Sequence, residues 1–348
     1  MSGLTLQLDV ERWRRHLRSE LDATPGLVPV VKGNGYGYGL HRLAEESARL
    51  GVDTIAVGTA AEVAQVRDVF GGTVVVLNPW DAANPLAVEL AEDPKVLTTV
   101  SRLADLAALA DLETRPRVLV EVRTSMRRHG LDPLDLERVA LLQDRVLFEG
   151  WSIHLPLLTK GRYAEAERLS RAAVAAVPGP LWISHLPPAE AHAVVAGLPH
   201  GPVPVRLRSG TRLWLGEPGS RRTTATVMDV HPVSRGDRVG YRQRAVPTDG
   251  HVVVVAGGTS HGVGLEAPTS ASSLRQRAVA LATGGLEAAG LALSPYTVAG
   301  KKRWFLEPPH MQSSQLFLPA SVPPPALGAE VPVELRLTTA TVDRIVEI

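Results

Sequence analysis

Residues 28–39 read VPVVKGNGYGYG. A short apolar, β-branched run stops at Lys32, and four glycines follow within the next seven residues. A run of that kind bounded by glycine reads as a buried strand that ends in a loop. The same unit recurs along the chain. From Leu27 to about Arg208, β-rich runs alternate with Ala/Leu/Glu/Arg segments of helical period, and eight β-then-α units can be counted. The strands are expected at Leu27 to Val31, Thr54 to Val57, Thr73 to Leu77, Val96 to Thr99, Arg117 to Val122, Leu147 to Ile153, Leu181 to Ser184 and Val203 to Arg208. Helices are expected between them, for example over Leu40 to Leu50, Ala60 to Val69, Ser101 to Ala110 and Tyr163 to Val177. Continuous apolar strands alternating with amphipathic helices imply a parallel sheet covered on its outer face, and a count of eight favours a closed (β/α)8 barrel.

In such a barrel the chemistry sits at the C-terminal ends of the strands. Lys32 follows the first of them. The chain has only five lysines, at positions 32, 95, 160, 301 and 302, so the context of each carries weight. An amine partly desolvated at a barrel mouth loses its proton more easily and can condense with an aldehyde. The structural alternative is a strand-end lysine that reaches solvent ahead of a glycine loop.

After about Gly216 the texture changes to short strands separated by Gly, Pro and Asp, such as DRVGYRQRAV, HVVVVAGG and EVPVELRLTT. This reads as a separate all-β domain. One helix, roughly Leu274 to Ala289, is expected within it, and SVPPPALG (321–328) reads as a proline-rich loop. The opening LTLQL alternates like a strand. The expected organisation is a barrel over 9–216 and a β domain over 217–348 that also takes strand 4–8 from the N-terminus.

Composition narrows the function. The formal net charge of +1, with no Lys/Arg-rich block, argues against nucleic-acid binding. The absence of cysteine removes disulfides, thiolate nucleophiles and sulfur-ligated zinc, and no metal-ligand set stands out. No stretch approaches membrane length and the N-terminus has no export signal pattern, so a soluble, cytoplasmic protein is expected.

Four segments carry a resemblance to the alanine racemase family, and it runs in order over nearly the whole chain. VVKGNGYGYG resembles the family's pyridoxal-phosphate lysine motif. It implies that Lys32 holds the cofactor's aldehyde as a Schiff base and that Tyr36 bonds the phosphate, with Tyr38 where the family usually has His. EVRTSMRRHGL (121–131) places Arg128 on the arginine that bonds the cofactor's phenolic oxygen and the substrate carboxylate. Glu121 stands where many members carry a carbamylated lysine, so a charge-assisted bond between Glu121 and Arg128 is expected. GWSIHLPL puts His154 on the histidine beside the cofactor ring. VRLRSGTRLWLG places Arg208 opposite the pyridine nitrogen and the amides of Gly210 and Thr211 at the phosphate, where WISHLPP also offers Ser184 or His185. The resemblance further implies a small amino-acid substrate and a head-to-tail homodimer, in which the partner's β domain completes each mouth and Met311 faces the substrate.

The β domain departs from the family. The second base there is a tyrosine of the partner subunit, and the corresponding VVVVAGGTSHGVGL (252–265) has Gly258 or Thr259 in that place. His261, three residues on, is a chemically sound substitute base, because imidazole titrates near neutral pH. HMQ (310–312) replaces Met-Asp, and Thr341 or a neighbour stands in for a phosphate-binding tyrosine. Three readings stay open at this level: an amino-acid racemase with an altered second base, a different pyridoxal-phosphate enzyme on the same scaffold, and a catalytically silent binder of the cofactor.

Overall fold

The structure is a computed structural model, and it describes residues 3–157, 160–199, 201–265 and 292–348. The chain divides into two compact units, Arg14–Gly216 and Met1–Trp13 together with Glu217–Ile348. After β1 (Leu4–Leu8) and α1 (Val10–Asp22) come β2 (Leu27–Pro29), α2 (Leu40–Leu50), β3 (Thr54–Val57), α3 (Ala60–Arg67), β4 (Thr73–Val76), α4 (Pro85–Ala91), β5 (Val96–Val100) and α5 (Leu103–Ala110). These are followed by β6 (Arg117–Val122), β7 (Leu147–His154), α6 (Arg162–Ala176), β8 (Leu181–Ser184), α7 (Pro188–Ala196), β9 (Val205–Ser209) and α8 (Thr211–Leu215). All eight expected strands form, with ends within two residues of those read from the sequence. The connection after β6 carries a 3-10 stretch, Pro133–Leu141, whose first turn is capped by the Asp132 carboxylate.

The eight strands make one parallel sheet in the order β2-β9-β8-β7-β6-β5-β4-β3. A bridge between Val30 and Ala56 brings its two edges together, so the sheet closes into the expected barrel. Alternation along each strand sends one set of side chains to the helices and the other inside. Val118, Val120, Trp151, Ile153, Leu181 and Ile183 belong to the cluster packed under the helices. Val28, Val30, Ala56, Val75, Leu97, Leu119 and Trp182 form the interior.

The second unit contains β10 (Arg221–Val233), β11 (Arg238–Val239), β12 (Arg244–Ala245), β13 (Gly250–Ala256), β14 (Leu293–Val298), β15 (Lys301–Trp304), β16 (Ser313–Pro319), β17 (Glu330–Pro332) and β18 (Arg344–Glu347). Its main sheet runs β16-β13-β10-β1-β18, so the N-terminal strand pairs antiparallel with β10 and parallel with β18. The helix expected over 274–289 lies outside the described residues. Tyr296, fully buried, donates its hydroxyl to the carbonyls of Ala256 (3.0 Å) and Gly257 (2.8 Å) and so holds the end of β13.

Leu4 is fully buried in the cluster that contains Val253, Val255, Tyr296 and Leu316. Leu4→Ala is expected to lower the stability of this unit by ~2–5 kcal/mol, read as an earlier denaturant midpoint. An unchanged midpoint would show that β1 adds nothing to the sheet it enters.

Candidate active site at the barrel rim

Register alone sets three polar side chains level. His154 ends β7 opposite Ser184 of β8, and Ser184 lies opposite Arg208 of β9. Trp182, two residues before Ser184, is an interior residue, so Ser184 and its neighbours across the ladder also point inside. All three lie at the C-terminal end of the barrel.

Lys32 emerges two residues beyond the Val30 bridge, and its backbone is tightly held. The Val30 amide donates to Ser209 (2.8 Å) and the Val31 amide to Ala56 (2.7 Å). The indole of the fully buried Trp214 donates to the Val30 carbonyl at 2.8 Å. Glu62 fixes the loop from the next unit: its carboxylate accepts from the amides of Gly33 (2.9 Å), Gly58 (2.6 Å) and Thr59 (3.3 Å). Glu62 was not singled out from the sequence, although Thr59-x-x-Glu62 is a capping-box spacing that makes α3's first turn visible.

Electrostatically these groups form one cluster. Solvent reaches Lys32, but the rim desolvates its ammonium and the charges of Arg128 and Arg208 oppose it, so its pKa falls below the ordinary lysine value despite Glu62 nearby. His154 is held down to about 2, by desolvation first and then by Arg208, His185, Arg128 and Lys32. It is therefore a neutral ring at any working pH. His185, ring centroid 4.8 Å from that of His154, has a lowered pKa for the same first reason. Its Nδ1–H donates to the Leu155 carbonyl at 2.8 Å, because a carbonyl can only accept. The backbone of His185 is left-handed (φ 65°), a conformation that a non-glycine residue adopts at some cost.

Arg208 is buried, and desolvation pulls its pKa down to about 10, which leaves it charged near neutrality. One terminal nitrogen makes long contacts with the carbonyls of Ile153 (3.4 Å) and Trp182 (3.3 Å). Its Nε is buried with no hydrogen-bond partner among the described residues. The anion that offsets it is Glu121, which is 5% exposed and accepts the Ser101 hydroxyl at 2.9 Å. This corrects the expected pairing: Glu121 serves Arg208 in the interior. Arg128 stands exposed on the loop after β6 without a hydrogen bond or ion pair among the described residues. That loop is stiffened by Arg123 paired with Asp132, by Thr124 Oγ1 on the His154 carbonyl (2.9 Å), and by Ser125 on Glu165.

Gly210 follows β9 with no room for a side chain. A Cβ there would lie 2.1 Å from the Tyr36 hydroxyl. Desolvation, with Glu62 second, pushes the Tyr36 phenol up to about 12, so it stays protonated and able to donate. Thr211 is exposed beside it. The barrel thus gathers Lys32, Tyr36, Arg128, His154, Ser184, Arg208, Gly210 and Thr211 at one rim. His261 and Met311 belong to the other unit. There His261 is buried at the end of a 3-10 turn, its Nε2 donating to Asp343 at 3.0 Å and its Nδ1 facing the Gly258 amide (3.4 Å) and Ser260 Oγ (3.3 Å). Met311 is largely exposed.

The fold and rim define a (β/α)8-barrel protein with a lysine-bearing, cationic mouth. The family model for the N-terminal domain of alanine racemase matches residues 8–189, and the chain belongs to that family. It is similar to the alanine racemase of Aliivibrio salmonicida, with 32% identity over 140 residues, 38% of this chain and 37% of the relative. It is also similar to that of Nitratidesulfovibrio vulgaris, with 30% identity over 125 residues, 35% and 34% of the two chains. The chain thus spans about a third of the length of the curated relatives it matches. Among solved structures, alanine racemase from Bartonella henselae with covalently bound pyridoxal phosphate superposes with a TM-score of 0.76 at 15% identity, all of each chain covered. The enzyme from E. faecalis gives 0.69 at 19% identity, over 95% of this chain and 88% of that one. At those identities the likeness is one of fold. Among the described residues no helix is long and apolar enough to cross a membrane.

Two outcomes follow from the electrostatics. Arg128→Gln removes a positive charge that lowers the Lys32 pKa, so less free amine is present and acylation of Lys32 near pH 8 should slow in the variant, read by peptide mass mapping of the cofactor-free protein. His154 has a folded pKa far below its unfolded value near 6.5. Its contribution to stability is therefore complete above pH 6.5 and is lost as pH falls below it, because only the unfolded chain takes up the proton. His154→Gln should flatten the fall in stability between about pH 6.5 and 4; an equal slope in both proteins would contradict the assignment.

Proposed function

We propose that this chain is a pyridoxal-phosphate-dependent enzyme that acts on the α-carbon of a small amino acid, a racemase-like isomerase. The observation that carries the reading is the buried Arg208 Nε–H, which has no acceptor among the described residues, at the same level of the barrel as His154 and Ser184 and within electrostatic reach of Lys32. A donor orphaned in the interior costs free energy unless a ligand supplies the acceptor. A pyridine nitrogen is such an acceptor, and the rim's other groups suit the rest of the same cofactor.

In this reading Lys32 Nζ holds the cofactor's aldehyde, while Tyr36, Ser184 and the amides of Gly210 and Thr211 hold its phosphate. Neutral His154 would be the residue beside its ring, and Arg208 the donor to its ring nitrogen. The bound group would supply an electron sink for the α-carbon, and donation to an unprotonated ring moderates that sink, which suits moving one proton and little else. Lys32 carries the proton: desolvation at the rim and the charges of Arg128 and Arg208 lower its pKa and favour the free amine, so Nζ can take the α-proton on one face. Arg128, exposed and without an ion pair among the described residues, holds the substrate carboxylate in a bidentate bond. Glu121 keeps Arg208 charged and seated.

The β domain of a second copy of this chain is proposed to complete each mouth and to exclude water, giving a homodimer. His261 enters this reading with a different task from the one its sequence position suggested. With both ring nitrogens engaged and the ring buried, it ties the Gly257–Gly262 loop to Asp343.

Reduction of the cofactor-loaded protein with borohydride should fix the label on the peptide that contains Lys32, and Lys32→Ala should abolish both the label and the visible absorbance. Label on another lysine would sink the assignment. In D2O the loaded enzyme should exchange the α-proton of alanine. Trapping on Lys32 with no exchange from either enantiomer would leave a binder and exclude the enzyme.

A further inference from the structure

Racemisation needs proton transfer on both faces of the α-carbon, and Lys32 supplies one. Besides the exposed His231–Asp229 pair on β10, the β domain has two histidine–carboxylate pairs among the described residues, in adjacent loops and built in opposite ways. In the first, the His261 side chain is 8% exposed while its partner Asp343 is 45% exposed. The imidazole is thus buried behind its carboxylate, and both its nitrogens are engaged. In the second, His310 Nε2 lies 2.5 Å from Glu307 Oε1, with the His310 side chain 26% exposed and the Glu307 side chain 3% exposed. Here the carboxylate is buried and the imidazole is presented outward. Because Nε2–H donates to Glu307, Nδ1 is the lone-pair nitrogen, and it makes no hydrogen bond among the described residues.

The surroundings hold this second pair in place. Gly240, with φ 73°, lets the chain pass against the Glu307 carboxylate, where a Cβ would come within 2.2 Å of Oε2. The highly exposed Tyr241 lays its ring 4.7 Å from that of His310. The His310 backbone is locked to the neighbouring loop: its carbonyl accepts the Thr259 amide at 2.8 Å and its amide donates to Ser313 at 2.9 Å. A Cβ at Gly258 would lie 2.0 Å from the His310 carbonyl oxygen. The backbone of residue 310 therefore fills the space that any side chain at position 258 would need.

We propose that His310, oriented by Glu307, is the acid/base group on the face of the α-carbon opposite Lys32. This rests on the function proposed above, with the β domain supplied by a second copy of the chain. In one direction the α-carbon–hydrogen bond breaks, its proton goes to Lys32 Nζ, and the electron pair stays with the substrate. The carbon then takes a proton from Nδ1 of the protonated His310, and a new C–H bond forms on the other face. The reverse direction exchanges the two roles, and nothing is oxidised or reduced. His310 is the catalytic residue in this scheme and Glu307 a positioning residue.

The cofactor-free protein gives the first test. Diethylpyrocarbonate should modify His310 much faster than His261, whose nitrogens are both engaged. The loaded protein gives the second. In D2O the wild type should exchange the α-proton of both D- and L-alanine, and His310→Gln should slow one enantiomer by about 10² to 10⁴-fold while leaving the other near its original rate. Glu307→Gln should slow the same enantiomer by less. Added imidazole should restore the slowed exchange in His310→Ala, which it would not do if the residue only supported the loop. Equal rates for both enantiomers in His310→Gln, or a wild type that exchanges one enantiomer only, would overturn the assignment of His310 alone. Exchange of neither enantiomer by the wild type would instead remove the function on which it rests.

Discussion

A guanidinium inside a barrel is the constraint around which the site is arranged. Taking a cation out of water costs several kcal/mol even after relaxation, and only an anion and hydrogen bonds in the same interior offset it. Arg208 is 7% exposed and Glu121 5%. The glutamate is two strand positions below the rim, at the level of Ser152, and is held by the Ser101 hydroxyl. Once that pair is in place, the field at the mouth is set. Lys32, His154 and His185 all feel Arg208 as a like charge that disfavours their protonation.

The result is a mouth with guanidinium charges, two imidazoles whose protonation is disfavoured and a lysine whose pKa is lowered. Those are different assets. Arg128 and Arg208 are cations suited to carboxylate and to an acceptor ring nitrogen. His154 offers a neutral face, and Lys32 a primary amine whose pKa is lowered. Desolvation raises the Tyr36 phenol further, to about 12. A lysine in bulk solvent stays protonated near neutrality.

The β domain follows another logic. Its strand ends are held by backbone contacts and by one buried phenol, Tyr296, on the carbonyls of Ala256 and Gly257. The Gly258 and His310 segments are packed so closely that one residue's backbone occupies the other's side-chain space.

Much of the barrel was legible in the chain, because its information is local. Eight apolar runs with helical segments between them state a closed parallel sheet, and the strand ends came within two residues, since each run stops where glycine, proline or a polar residue begins. Lys32, His154 and Arg208 could be placed at the rim for the same reason: each ends such a run. What the sequence could not state was which charge answers which. Glu121 and Arg128 are seven residues apart and look like partners, yet strand alternation turns Glu121 into the interior, where its charge acts on Arg208, 87 positions away in the numbering. Glu62 shows as a helix cap, but only the fold carries its second carboxylate oxygen to the Lys32 loop. His261 and His310 look equally free in the sequence. Tertiary packing engages both nitrogens of one and buries only the carboxylate of the other, because exposure and hydrogen-bond partners depend on neighbours that are distant along the chain.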